Sequence, residues 1–496
     1  MPLEDIRQAR LKKLGKIEEM AGNAFPSESI KDFSLSDVVA DFSKISRKRR
    51  PINLVGRVFG VRGHGGIVFC DFKDGSSDKK NGDLSVLQAY IKKDIVGDEQ
   101  FSFFEESVDV GDFIEFNGSL FKTKKGERSI KVTSFRFLSK GLMPLPEKWH
   151  GLSDVEERFR KRYLDLLMND EVRTVFVNRS KLVAEIRNFL NKKDFLEVET
   201  PILQPIASGA LAEPFRTRHN ALGIDLFLRI APELYLKRLL VAGFEKVYEI
   251  GRNFRNEGID MTHNPEFTML EFYQAYKDSE YARDLVEDLF KTLAKKVSGK
   301  KLIEYDGKEI SFSKKFDVVS FYDVIKRHAL INNPEETLRE DFALKAQQFG
   351  IEVSDADTKE KIADNIFKKL CRSKIIQPTF VVDYPVELFH LAKKKKDNLK
   401  LADCFQLYIG GLELVKGYSE INSPIEQKNR FEEQQKLRKA GDKEAPEFDK
   451  DFIEALEYGM PPAAGVGIGI ERLAMFFTDT QNIKEVILFP TMRPKE

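Results

Sequence analysis

The sequence has few of the residues that build covalent or metal-held scaffolds. Its only thiols are Cys70, Cys371 and Cys404, scattered without disulfide or metal-ligand spacing, so a disulfide framework and a zinc ribbon are both excluded and reduced, buried cysteines are expected. The six histidines form no cluster, which removes a histidine-based metal centre. Charge of one sign is missing too: 81 Lys and Arg balance 80 Asp and Glu, a net charge of +1. Any binding to nucleic acid must therefore rest on local patches and not on a global field. No apolar run approaches the length of a membrane span, so no membrane partner is expected. The opening MPLEDIRQARLKKLGK has no apolar stretch of signal-peptide type, which points to a cytoplasmic protein.

What remains is an ordinary globular composition, 42% hydrophobic and 32% charged, in a chain of 496 residues, enough for two or three domains. The most informative stretch runs from Tyr248 to Tyr273. Tyr248, Ile250 and Phe254 alternate with Glu249, Gly251, Asn253 and Arg255; after a polar loop, Leu270 and Phe272 alternate with Phe267, Glu271 and Tyr273. This predicts an antiparallel hairpin with one apolar face. The other face carries arginine, carboxylates and aromatics, which suits a charged ligand if buried and a salt-bridge ladder if solvated.

Elsewhere, residues 1–50 read as a helix (Ile6, Leu14, Ile17, Met20) and a tether ending in the basic SRKRR, either a phosphate-tracking element or a solvated face. Short alternating segments with glycine turns over 51–141 predict a small antiparallel barrel. SSDKKNGD (Ser76 to Asp83) reads as a lengthened hairpin tip. A linker spans 142–168, with Ser153 and Glu156 as a capping box, and the remainder, 169–496, forms a second domain. That domain opens with an amphipathic helix (Val172, Val175, Phe176, Leu182, Val183, Ile186, Phe189, Leu190) and the strand FLEVETP. From Lys277 to Leu401 the pattern is irregular and reads as helices against a sheet; KKKK (Lys393 to Lys396) reads as a solvated loop. Gly410-Gly411 is a two-residue hairpin signal that pairs Tyr408 with Glu413 and Gln406 with Val415, placing Gln406 and Glu413 on one face. Strict alternation would aim Glu420 away from Glu413, so a bulge or bend near Gly417 is expected.

RNFRNEG followed by HNPEFTMLE, together with APELYLKR, ADCFQLYIGGLELVKGYSEIN, PPAAGVGIGIERLAMFF and ILFPTMRP, resembles the class II aminoacyl-tRNA synthetases of subclass IIb, in the lysyl version. RGHG, FCDFKDGS and TKKGERSIKV resemble that family's anticodon-binding domain. The resemblance implies an α+β chain: an N-terminal OB-fold β-barrel, then a catalytic domain with a mostly antiparallel sheet flanked by helices. Motif 1 would cover about 172–201 and build a homodimer; motif 2 would cover about 248–273 and motif 3 about 461–477. The implied reaction is activation of L-lysine by ATP, then transfer to the 3′ end of tRNA(Lys), with Mg²⁺ as cofactor.

The resemblance also assigns residues. Arg255 and Arg472 would be catalytic, gripping the α- and γ-phosphates; Glu257, His263, Asn264, Phe267 and Glu413 would complete the ATP site. Lysine would be held by Gly209, Glu233, Arg255, Glu271, Tyr273, Lys416, Tyr418 and Glu420. Gln406 and Glu413 would hold Mg²⁺, and Arg62, Phe69, Gln88 and Glu127 would read the anticodon, although a strand phenylalanine such as Phe69 is more often core. Four places depart from the family pattern: Glu213 for arginine, Gln406 for glutamate, Lys416 for asparagine, and Phe389-His390 for a Ser-Pro pair. Two alternatives stay open, an enzyme of the same fold with altered output and a non-catalytic tRNA-binding paralogue, the latter supported in sequence by Gln406, Lys416 and Glu213 alone.

Overall fold

A computed structural model describes residues 2–77, 84–146, 152, 154–355, 357–439 and 447–495. The chain divides into two compact units, 1–174 and 175–496. The insertion at 76–83 lies outside the described residues beyond Ser77, as does Ser153.

In the first unit, β1 (Ile52–His64), β2 (Ile67–Ser77), β3 (Leu84–Lys92), β4 (Phe113–Lys122) and β5 (Arg128–Ser139) close a barrel in the order β1-β2-β3-β5-β4. All pairs are antiparallel except β3 with β5. Period-two alternation sends Leu54, Val58, Cys70, Phe72, Ala89, Phe116 and Val132 inward, where they are buried. Residues 1–50 are not a separate arm and tether. The helix Leu3–Ala21 buries Ile17, and the short helices Leu35–Ala40 and Phe42–Ser46 add Leu35, Val38 and Phe42 to the barrel core. Arg10 is buried as well, its guanidinium donating to the carbonyls of Gly141, Met143 and Val110. Segments this short show no helical period, so only packing against the barrel orders them.

The 142–168 stretch belongs to the same compact unit. Its first helix, Val155–Arg160, is capped by Asp154, whose carboxylate accepts from the Glu156 amide at 2.8 Å. Lys140 is the buried hub of this unit. Its ammonium donates to the Ser107 carbonyl at 2.7 Å, Asp109 at 2.6 Å and Asp112 at 2.8 Å. Burial pushes the Asp112 carboxyl up, against the opposing pull of Lys140. Removing one partner of a buried ion pair strands the other. K140M should therefore cost about 3–5 kcal/mol, read as a lower unfolding midpoint of the isolated 1–174 fragment or of the first transition of the full chain.

In the second unit, β6 (Leu196–Glu197) is followed by a small three-stranded sheet of β7 (Leu203–Gln204), β8 (Arg216–His219) and β9 (Ile224–Leu228). Next come β10 (Lys246–Phe254), β11 (Glu266–Ala275), β12 (Leu302–Tyr305), β13 (Lys308–Ser311), β14 (Asp317–Ser320) and β15 (Thr379–Val382). The chain ends its strands with β16 (Cys404–Ile409), β17 (Leu412–Ser419) and β18 (Ala463–Gly469). An eight-stranded sheet in the order β14-β15-β16-β17-β18-β11-β10-β6 forms the centre. It is antiparallel except for β14 with β15 and β10 with β6.

One face of the sheet carries Tyr248, Leu270, Phe272, Leu407, Val415, Val466 and Ile468 into the main core, packed by the helices Asp170–Asn191, Ser279–Leu293 and Ile470–Thr478. FLEVETP contributes only two residues to the ladder; Phe195 instead packs edge-on against Phe272 at 5.6 Å. The 277–401 stretch is helical as expected but also supplies β12 to β15. Four-residue runs carry too little alternation to be read in advance. Within KKKK, Lys393 donates to Asn422 at 2.7 Å and Lys395 pairs with Asp383.

Candidate active site

The opposite face of the sheet is where the sequence put charge. The β10–β11 hairpin has the expected register, Glu249 opposite Glu271 and Asn253 opposite Phe267. The β16–β17 hairpin corrects two expectations. Tyr408 does pair with Glu413, but the register then slips, so Leu407 pairs with Val415 and Gln406 with Lys416, not with Val415. The extra residue is Leu414, three residues before the expected bend near Gly417. One inserted residue inverts every later side chain. Lys416, Tyr418 and Glu420 thereby share the face of Glu413.

This face forms the floor of a cavity of about 460 Å³. Of the residues expected at the site, Gly209, Glu233, Arg255, Glu257, His263, Asn264, Phe267, Glu271, Tyr273, Glu413, Lys416, Tyr418 and Arg472 all line it. Glu420 lies just behind the wall, 1% exposed. Glu213 is not part of the lining; its carbonyl accepts from the Asn256 amide at 2.7 Å and so fixes the start of the motif 2 loop.

At one end three carboxylates, Glu233, Glu271 and Glu420, are each buried to within 5% exposure. One ammonium, Lys237, serves them. It donates to Glu233 at 2.6 Å and pairs with Glu420. Burial works against the Lys237 charge, but the Glu233 and Glu420 carboxylates outweigh it and hold its pKa above the ordinary value. Tyr418 donates to Glu233 at 2.7 Å and Tyr273 to Glu271 at 2.9 Å. Burial and the nearby Glu233 charge push Glu271 up to about 8, and burial raises Glu420 as well. A site that holds carboxylates this uncomfortably is built to receive cations. Lys237 was not singled out from sequence, although its position four residues after Glu233 on the helix Glu233–Val241 was the available signal.

At the other end the charge reverses. Arg255 lies over the Phe267 ring at 5.0 Å and makes no ion pair among the described residues. Arg472, in the first turn of Ile470–Thr478, bonds the His263 Nε2 at 2.7 Å, while His263 Nδ1 lies 2.8 Å from Asp260. Arginine can only donate, so Nε2 accepts and Nδ1 carries the proton. Asn264 donates to the Glu266 carbonyl at 2.7 Å and leaves its own buried oxygen without a partner. Glu471 anchors this end: it accepts from Arg179 and from the Thr268 amide, both at 2.8 Å. Two guanidinium groups without a carboxylate partner among the described residues, Arg472 being held by His263 and the Thr262 and Glu413 carbonyls, beside an aromatic face suit a nucleoside phosphate.

The donor set for Mg²⁺ is a poor fit. Gln406 does not line the cavity, and its amide oxygen accepts from the Tyr408 hydroxyl at 2.8 Å. Of the expected pair only Glu413 lines the cavity, and no cluster of three or more metal-type side chains occurs among the described residues. Hard divalent ions require several oxygen ligands.

On the barrel, Arg62 pairs with Asp71 at 2.7 Å, Gln88 accepts from Ser129 at 3.1 Å, and Glu127 is exposed. Phe69 is half-buried, its ring 5.5 Å from Tyr90, which in turn lies 5.3 Å from Phe121. Tyr90 and Phe121 extend the aromatic strip beyond the residues named from sequence; the alternation of Gln88 with Tyr90 was its visible trace.

Two families match the chain. One, tRNA synthetases class II (D, K and N), covers residues 154–493; the other, an OB-fold nucleic acid binding domain, covers residues 52–138. Fold and site thus define a class II tRNA synthetase architecture. The lysine–tRNA ligase of Pelotomaculum thermopropionicum is 46% identical over 100% of this chain and 96% of its own length. That of Syntrophomonas wolfei is 45% identical over 99% and 98%, and that of Aquifex aeolicus 46% over 90% and 74%. The chain belongs to the lysine–tRNA ligase family of class II synthetases.

Gly465 shows how tightly the carboxylate end is built: a Cβ there would lie 2.1 Å from a Glu420 oxygen and 2.3 Å from the Tyr273 ring. Gly465→Ala should destabilise the chain by about 1–3 kcal/mol, measured as a drop in denaturation midpoint, whereas Gly469→Ala, where a Cβ meets nothing within 4 Å, should leave the midpoint nearly unchanged.

Proposed function

We propose that the protein joins L-lysine to tRNA(Lys) in two steps, with ATP as the energy source and Mg²⁺ arriving as part of the ATP substrate. The supporting observation is the charge count at the carboxylate end of the cavity. Three buried carboxylates face one ammonium there: Lys237 pairs with Glu233 and Glu420, while Glu271 has only the Tyr273 hydroxyl, which leaves room for two further positive charges. Free lysine brings two, its α- and ε-ammonium groups. An aspartate or asparagine ligand would leave buried carboxylates unpaired, a large penalty against either.

Gly209 has a φ of +95° and a Cβ there would lie 3.3 Å from the Glu233 side chain, so the backbone can approach the α-ammonium partner closely. With the two ammonium groups held, the lysine carboxylate points towards Arg255. One carboxylate oxygen attacks the α-phosphorus in line, forming the acyl phosphate bond as the bond to the bridging oxygen breaks and pyrophosphate departs. Arg255 and Arg472 carry the negative charge of the phosphoryl groups, and Phe267 offers a face to adenine. The 3′-terminal ribose hydroxyl of tRNA then attacks the lysyl carbonyl, releasing AMP. The rate comes from positioning and charge neutralisation, with no covalent enzyme intermediate. The presence of both arginines in the cavity favours this reading over a non-catalytic paralogue.

The barrel would read the lysine anticodon, with Phe69, Tyr90 and Phe121 as stacking surfaces and Arg62, Gln88 and Glu127 as polar readers. A homodimer through motif 1 is supported by apolar side chains left exposed there, Val177 at 55% and Leu196 at 48%. A cytoplasmic location is part of this proposal, supported by the need to work on tRNA.

Lysine-dependent exchange of pyrophosphate into ATP, tested with all twenty amino acids, is the direct measurement; lysine alone should support it, and silence with every amino acid would sink the proposal. A second expectation concerns protons. In the free site Glu271 is held up to about 8, and an arriving ammonium must lower it, so binding below that pH releases a proton. Lysine affinity should rise with pH up to about 8 and level off above it. Calorimetry near pH 7 in buffers of different ionisation enthalpy should detect the released proton. On the barrel, F69A should weaken tRNA binding by about 1–3 kcal/mol, the worth of one base–aromatic stack, without altering pyrophosphate exchange.

A further inference from the structure

Lys416 occupies an unusual place on the cavity floor. It is exposed and lines the cavity, and its ammonium lies 4.2 Å from the centroid of the Phe389 ring. It has no carboxylate within ion-pair distance among the described residues, although this end of the cavity also contains Glu413. Directly opposite it in the ladder stands Gln406, neutral and already engaged by Tyr408. On its other side Gly467 separates it from Glu271. Two strand spacings put Lys416 and Glu271 about 10 Å apart at the backbone, with no side chain between them. The adjoining His390 imidazole is pulled down to about 3 by burial and by the Lys416, Lys237 and Arg430 charges, so the wall around Lys416 brings no compensating anion.

An ammonium seated on an aromatic ring is partly desolvated and held in position, and the ring leaves its N–H donors free to point at a ligand. The ligand that fits is an oxyanion. The substrates supply several, the triphosphate and the amino-acid carboxylate, while Arg255 and Arg472 are the other cations facing them. Meanwhile, of the two expected metal donors only Glu413 lines the cavity, and no group of three or more metal-type side chains occurs among the described residues, whereas a divalent ion needs several oxygens. We propose that Lys416 is a substrate-contacting residue, a resident cation on the β17 wall that holds phosphoryl oxygens of ATP in place of a divalent ion held by the protein. The pairing of Gln406 with Lys416 is then one change of charge, an acidic donor absent and a fixed cation present at opposed positions of one hairpin. Phe389 is the seat that keeps the cation in place. The inference rests on the ATP-dependent ligase reading given above.

ATP binding to the full-length chain, followed by calorimetry in EDTA and again in Mg²⁺, tests it. In EDTA, K416M should bind ATP about tenfold more weakly than wild type, the worth of one charge-assisted contact, and K416R should recover to within about threefold. Excess Mg²⁺ should narrow the gap between K416M and wild type. Counting bound Mn²⁺ by electron paramagnetic resonance in the presence of ATP gives an independent readout, in which Q406E/K416N should take up more Mn²⁺ per chain than wild type. Equal ATP affinity of K416M and wild type in EDTA would overturn the proposal, as would an unchanged Mn²⁺ count in the double variant. Failure of the underlying reading looks different: wild type would then show no lysine-dependent pyrophosphate exchange, whatever its ATP affinity.

Discussion

Lys237 is the interaction on which the site depends. A fully buried ammonium among three buried carboxylates is costly to assemble, and it is tolerable only because Glu233 and Glu420 both contact it. The arrangement leaves Glu271 poorly compensated, held by a single tyrosine hydroxyl. On the proposed function, that residual deficit is what favours a dication.

Backbone geometry decides whether those charges face one another. The carboxylates come from four separate places: the helix Glu233–Val241, β11, the end of β17, and Glu413 near its start. The bulge at Leu414 brings the β17 residues onto one face. Without it, Glu413 would point into the cavity while Lys416, Tyr418 and Glu420 entered the apolar core, which could not accept them. Gly465 then clears the space that Glu420 and Tyr273 occupy, so the conformational and packing demands of β17 and β18 are met together.

The two ends of the cavity solve opposite problems. The carboxylate end is buried and holds three carboxylates to one ammonium, suited to discriminating a cationic side chain. The arginine end is more open, with Phe267 and the guanidinium groups ready for a ligand that is both flat and anionic. The Asp260–His263–Arg472 chain fixes the histidine tautomer and links the motif 2 loop to the first turn of the motif 3 helix. β11 spans both ends, carrying Phe267 to the arginine end and Glu271 to the carboxylate end.

Much of this was legible in the chain itself. Period-two alternation predicted the β10–β11 hairpin and its polar face and the barrel strands, because side-chain period and hydrophobicity are local properties, and the scarcity and scatter of the cysteines predicted three buried free thiols. The residue types at the site were legible for the same reason, and the resemblance ordered them. Tertiary structure alone decided the rest. Nothing local distinguishes a bulge at Leu414 from one at Gly417, since both satisfy the parity of Glu413 and Glu420; packing of β17 between β16 and β18 selects the first. Nor could local pattern assign Lys237 to a triad of carboxylates, join the short helices after Ala21 to the barrel, or seat Lys416 on Phe389, 27 positions earlier. Each depends on segments far apart in sequence meeting in a low-dielectric interior, where the energy of a charge is set by its neighbours and not by its own side chain.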